Sequence, residues 1–115
     1  MNDNLPLVSI VVASYNNGQY LEECLESAVN QTYQNIEIII ADDCSTDNTL
    51  NILKDIAEEY KICKVISNTE NIGYIKNFEK GMALAKGDFI APADKDDVWL
   101  PEKIEILVNS VNEKT

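Results

Sequence analysis

Asp94 and Asp96 flank a single residue in DFIAPADKDDVWLPEK (Asp88 to Lys103), where an apolar run gives way to a loop. In an extended turn both carboxylates can point the same way. Two hard oxygen ligands beside open water positions suit Mg²⁺ or Mn²⁺, which take one or two protein carboxylates plus substrate phosphates. A cation there would cancel the local repulsion and hold a diphosphate. A solvated acidic loop, with Asp97 capping a helix, is the alternative that the spacing leaves open. A second acidic pair, Asp42 and Asp43, opens DDCSTDNT. Its serine, threonine and asparagine residues can satisfy the free amides of a following helix, but helix capping does not explain two acids. One carboxylate there can accept hydrogen bonds from a nucleobase N–H or from ribose hydroxyls. Asp43 is the better placed for this, with Asp42 ordering the loop. Tyr15, in SYNN, offers a flat ring able to stack on a base, or a half-buried ring under its loop. Lys76 opens a helix, where a cation gains nothing from the dipole; it either reaches a phosphate or base or stands in solvent.

These residues need elements to position them, and the chain supplies a regular alternation. Val8 to Ala13 is a short β-branched run that reads as a buried strand, and Ile36 to Ala41 reads as a second. Cys63 to Ile66 and Asp88 to Ala91 are the third and fourth. Between them run amphipathic helices. The first spans about Gln19 to Gln31; the second is capped by Thr46 or Asp47, with Leu50, Leu53, Ile56, Ala57 and Tyr60 inward. The third, near Tyr74 to Lys86, turns Ile75, Phe78, Met82 and Ala85 inward and stops at Gly87, with Gly73 serving the turn before it. The last has Pro101 in its first turn and a buried stripe of Ile104, Leu107, Val108 and Val111. Four strands alternating with four helices predict an α/β, Rossmann-like fold: an open, mostly parallel sheet covered on both faces. Ligands of such sheets bind beyond the carboxyl ends of the strands, where the strand order reverses. With order 3-2-1-4, the loops SYNNG, DDCSTDNT and DKDDVW share one rim.

The composition narrows the partners. At 115 residues with 45% apolar residues, the chain is read as one domain. Its 20 acids against 9 bases give a formal charge of −11, a field that repels nucleic-acid phosphates and anionic lipid headgroups. An anionic ligand remains possible where a divalent cation bridges it to the protein. No histidine is present, which removes the commonest catalytic base and zinc ligand. Cys24, Cys44 and Cys63 are odd in number and scattered, so a reducing cytoplasm is the expected setting. The opening MNDNLPLVSIVVASYNN lacks a basic region before its strand-length apolar run, unlike a signal peptide. No apolar run approaches the roughly 20 residues of a membrane span.

SIVVASYNNGQYLEECLESAVNQTYQNIEIIIADDCSTDNT resembles the opening of family 2 glycosyltransferases, which have the nucleotide-diphospho-sugar transferase (GT-A) fold. ENIGYIKNFEKGMALAKGDFIAPADKDDVWLPEKI continues the likeness through that family's DxD segment. The resemblance runs from about Pro6 to Leu107, through four motifs in order, and is closest to members that build bacterial surface polysaccharides, including rhamnosyltransferase-like ones. It implies Ala13 and Tyr15 against the nucleobase, and Asp43 in contact with that base. It implies Asp94 near the ribose or the metal, and Asp96 as a direct metal ligand, with Mn²⁺ or Mg²⁺ as cofactor. Lys76 stands where many members carry arginine, so a phosphate contact survives but not a bidentate one. Lys95 departs from the commoner small residue, and is placed either to touch the diphosphate or to weaken metal binding.

The resemblance further implies inverting transfer from a nucleotide-diphosphate sugar to a glycan or lipid-linked acceptor hydroxyl, in the cytoplasm or at the inner membrane face. The family's catalytic base is an acid in the second half of its domain, and only 18 residues follow Asp97. Residues 1 to 115 are therefore expected to be a truncated, donor-binding half, able to hold donor but lacking the base. A missing half could leave a sheet edge open and allow homo-oligomers. Three alternatives share parts of this pattern. A phosphate-receiver domain should end its first strand, not its second, in paired acids. A phospho-aspartate hydrolase matches DKDDV but should carry its nucleophile on the first strand. A non-catalytic domain of the same fold would merely bind or assemble.

Overall fold

The β-branched runs do become strands. In the computed structural model, which describes residues 5–16, 18–93 and 98–114, β1 spans Val8–Ser14, β2 Ile36–Asp42, β3 Cys63–Ser67 and β4 Phe89–Ala93. They alternate with α1 (Gly18–Val29), α2 (Thr49–Glu59), α3 (Tyr74–Ala83) and α4 (Lys103–Lys114). All strand pairings are parallel, as the alternation predicted, and the order is the expected β3-β2-β1-β4. β1 and β2 lie at the centre and are buried along their whole length, which is why both read as near-continuous apolar runs, broken by Ser9 and Glu37, rather than alternating ones.

Side chains of a strand alternate between faces, and the two faces of this sheet are covered differently. Val8, Ile10 and Val12 of β1, with their β2 partners Ile36, Ile38 and Ile40, join one cluster with the apolar stripes of α1, α2 and α4. Val11 and Ala41 face α3. The helix comes so close there that a Cβ built on Gly81 would lie 2.8 Å from Val11 Cγ1 and 3.5 Å from Ala41 Cβ. Only glycine permits that approach.

Four sequence expectations need correction. Ile75 is 71% exposed, while Asn77 and Gly81 form the buried line of α3, with Phe78 and Met82 half-buried beside it. The helix is rotated because close approach at Gly81, and not apolar volume, sets its phase. The same helix ends at Ala83, before Ala85 and Gly87. Gly87 instead donates its N–H to Ser9 Oγ at 2.8 Å. Leu107 of the α4 stripe is 47% exposed; Ile104 and Val108 are buried as expected, and the Val111 side chain lies outside the described residues. The cap of α2 is Asn48, with no side-chain cap bond. Asp47 still serves that first turn by accepting from Thr49 N at 2.9 Å.

At the end of the sheet away from β1's carboxyl terminus, a polar knot fixes the approach to β4. Ser9 Oγ donates to Glu37 Oε2 at 2.5 Å, Lys86 N donates to the same oxygen at 2.7 Å, and Lys64 Nζ lies 3.6 Å from Oε1. The buried Glu37 therefore ties the α3–β4 connection onto the central strands. Its pKa stays below the usual carboxylate range. Burial alone would raise it, but the Ser9 hydroxyl, the Lys86 amide and Lys64 together outweigh that.

Candidate functional site: the carboxyl rim of the sheet

β1 and β2 finish side by side, with Ser14 opposite Asp42, and β4 finishes with Ala93 opposite Val12. The loops that leave these strands are stitched together. Asp43 N donates to Ser14 O and Asn68 N to Asp42 O, both at 2.9 Å. Asn16 crosses from the first loop to the second: its Oδ1 accepts from Thr46 N at 2.8 Å and its own N–H donates to Ser45 Oγ at 3.0 Å. It sits at φ 48°, a left-handed conformation that asparagine tolerates better than most residues.

Asp42 and Asp43 do different work. Asp42 is fully buried; its Oδ1 accepts from Ser14 Oγ at 3.2 Å and Ser45 Oγ at 2.5 Å, and its Oδ2 from Ser45 N at 2.9 Å. It shapes the loop after β2. Asp43 is 3% exposed and receives the next loop: its Oδ1 accepts from Ile72 N at 2.8 Å and Asn68 Nδ2 at 3.0 Å, its Oδ2 from Gly73 N at 2.9 Å. Gly73 presents that N–H from φ 92°, a backbone that L side chains resist. Burial pushes the Asp43 pKa up, but the hydrogen bonds from Ile72, Asn68 and Gly73 hold it below the ordinary value. At neutral pH it is an anion that only accepts hydrogen bonds.

Of the other expected site residues, Ala13 is buried at the end of β1 and Tyr15, one residue beyond the strand, is 44% exposed. Lys76 is exposed on the first turn of α3. The structure thus brings Ala13, Tyr15 and Asp43 to one rim. Asp94, Lys95, Asp96 and Asp97 lie outside the described residues. Among the described residues no group of three or more Asp, Glu, Cys or His side chains could hold a metal ion. Hydrophobic periodicity missed Asn16, Asn68, Asn77 and Lys80, which brace the rim. The available signal was a buried-phase asparagine, Asn77, four residues before Gly81. A separate apolar groove of about 270 Å³, lined by Phe89, Trp99, Ile104 and others, runs along β4 and α4 rather than at the rim.

The profile of one family, described as "Glycosyl transferase family 2", matches residues 9–115, which includes all three rim loops. The chain belongs to that family. A family 2 fold with this strand order is of the GT-A type, and solved relatives share it. TarS from S. aureus, in complex with UDP, superposes with a TM-score of 0.82 at 29% identity, over 92% of this chain and 32% of its own. A mannosyltransferase from Pyrobaculum calidifontis, in complex with GDP-Man and Mn²⁺, gives a TM-score of 0.81 at 25% identity, over 95% of this chain and 32% of its own. WfaP of Escherichia coli, a UDP-Glc:alpha-D-GlcNAc-diphosphoundecaprenol beta-1,3-glucosyltransferase, is 43% identical over 87% of this chain and 39% of its own. This family 2 chain spans about a third of the length of such curated relatives. As in sequence, no described helix is long and apolar enough to cross a membrane.

Proposed function

We propose that this chain is the donor-nucleotide-binding part of an inverting, metal-dependent glycosyltransferase that moves a sugar from a nucleotide-diphosphate donor to an acceptor hydroxyl in bacterial surface-polysaccharide synthesis. The observation that carries the reading is Asp43: a buried, ionised carboxylate held by three donors at the rim where β1 and β2 end, in a chain of family 2. Each carboxylate oxygen has two lone pairs. Oδ1 accepts two hydrogens and Oδ2 accepts one, so Oδ2 keeps a lone pair for the N–H of a nucleobase. Tyr15 stacks on that base beside Ala13, and Lys76 meets the diphosphate.

Asp94 and Asp96 follow directly on β4 and are hard oxygen donors in a chain without histidine, a donor set suited to Mn²⁺ or Mg²⁺ rather than zinc. When bound, such a cation supplies charge stabilisation at the departing diphosphate. Lys95, between the two acids in sequence, is assigned to the same phosphates. The rim carboxylates Asp42 and Asp43 are buried in hydrogen bonds, so neither takes the acceptor's proton. That task falls to another carboxylate of the whole enzyme, and the 115 residues alone bind donor and transfer little or no sugar. A lipid-linked acceptor follows the example of WfaP; a glycan acceptor, and a meeting place at the cytoplasmic membrane face, belong to the same proposal. A receiver or phospho-aspartate reading finds no support, because β1 ends in Ser14 and the acid pair ends β2.

Calorimetry with UDP, GDP and dTDP, with and without Mn²⁺, tests this. Saturable binding of at least one of them, strengthened by Mn²⁺, is expected. A folded chain that binds none of them, or binds without regard to the metal, overturns the reading.

A further inference from the structure

Lys80 is the basic residue in the last turn of α3, where a cation is favoured by the helix dipole. The dipole does not explain where its ammonium goes. Lys80 Nζ turns back to the buried Asn68 and donates to its Oδ1 at 2.7 Å. That contact fixes which way the Asn68 amide faces. Its Nδ2 then donates to both Asp43 Oδ1, at 3.0 Å, and Asn77 Oδ1, at 2.9 Å. Asn77 is oriented in turn by donating to Ala41 O at 2.8 Å. Every amide in this buried chain has one chemically consistent orientation, since a flipped Asn68 would set its NH₂ against an ammonium and its oxygen against a carboxylate.

We infer that Lys80, acting through Asn68, is the positioning residue that makes the donor pocket select a nucleobase carrying a ring N–H. The inference rests on the proposed contact between Asp43 and the base. Asn68 and the Ile72 amide occupy Oδ1 of Asp43, while Oδ2 accepts from Gly73 N alone and keeps a lone pair. A carboxylate locked as a pure acceptor pairs with the ring N–H of uracil, thymine or guanine. It opposes the ring-nitrogen lone pair that cytosine and adenine present at the matching position. Sites built around one polar partner reject an analogue that leaves it unpaired. Without the Lys80 ammonium, Asn68 Oδ1 loses its donor, the amide is held only through its Nδ2 by Asp43 and Asn77, and the aim of the carboxylate loosens.

The test compares size-matched nucleotides, UDP against CDP and GDP against ADP, by calorimetry in Mn²⁺. The wild-type chain is expected to favour the ring N–H member of at least one pair by about tenfold or more. Lys80→Met, which keeps the methylene stem, is expected to cut that ratio by about threefold or more, and Lys80→Arg to preserve it. Lys80→Gln stands in should the methionine variant not fold. General damage to the fold would weaken both members of a pair alike and leave the ratio unchanged; that result, or an unaltered Met variant, overturns the inference while leaving the donor-binding reading intact. A wild-type chain that binds but does not discriminate, or prefers CDP or ADP, also overturns it. A wild-type chain that binds no nucleotide overturns both.

Discussion

Asp42 and Asp43 are neighbours at the end of β2, so their side chains leave on opposite sides, and each is claimed by a different loop. Asp42 accepts only hydroxyl and amide donors from Ser14 and Ser45. Asp42→Asn would turn an NH₂ toward one of those donors, and we expect a loss of about 1–3 kcal/mol for the unsatisfied pairing, read by urea unfolding. Cysteine chemistry separates at this scale too. Cys24 and Cys63 are buried and Cys44 is partly exposed in the loop after β2. Burial pushes the Cys63 thiol up to about 11, so it stays protonated and inert. A thiol reagent should therefore modify one cysteine quickly in the folded chain and all three only in urea; rapid reaction of Cys63 would contradict the packing. The placing of the acid pair and Tyr15 at strand ends was legible in sequence, because each directly follows or closes a β-branched run. Asn68 and Asn77 were not, because an amide carries no period and its meaning depends on partners nine or more residues away.

The strands and their parallel sheet were legible from alternation alone, since β-branched runs of strand length separated by amphipathic helices have few ways to pack; the order 3-2-1-4 was a further expectation, and it is the order found. The phase of α3 was not. Its sequence offers Ile75 as an inward residue, yet the close approach of Gly81 to Val11 rotates Asn77 inward instead. Element ends also depended on tertiary partners. Gln31, just beyond α1, accepts from Ile104 N at 2.9 Å at the start of α4 and donates to Leu100 O at 2.8 Å. It caps a helix some seventy residues away, which no local rule could reveal. Gln31→Leu should leave the buried Ile104 amide unpaired, while Leu100 O keeps the Lys103 N–H, and cost about 1–3 kcal/mol. Urea unfolding followed by the fluorescence of Trp99, whose backbone N–H donates to Ser27 Oγ of α1, measures it. A loss below about 0.5 kcal/mol would mean that water replaces the glutamine.

For the whole molecule, the charge of −11 and the sheet edge act against each other. β4 pairs only with β1 among the described strands, and Ile90, Leu100, Ile106 and Leu107 stand exposed around it. Mutual repulsion keeps copies apart at low ionic strength, and salt screens it. Light scattering should find monomers in dilute buffer and self-association as salt rises, suppressed by Ile106→Lys; a monomer under every condition would show that this face is inert. Stability should depend on pH in one direction. Asp43 and Glu37 both have folded pKa values below their unfolded ones, so their contribution is fully present above the unfolded carboxyl pKa of about 4. It is lost as pH falls through the lower folded values. Urea midpoints should thus hold steady from neutrality to about pH 5 and fall below it, less steeply in Glu37→Gln. The claim on which all this turns is that the carboxyl rim of the sheet holds the donor nucleotide. A crystal structure of the chain with UDP or GDP and Mn²⁺ tests it most directly. The account predicts the base between Tyr15 and Asp43, with its ring N–H on Asp43 Oδ2 and the cation at Asp94 and Asp96. A nucleotide seated instead in the groove between β4 and α4, with Asp43 untouched, would contradict it.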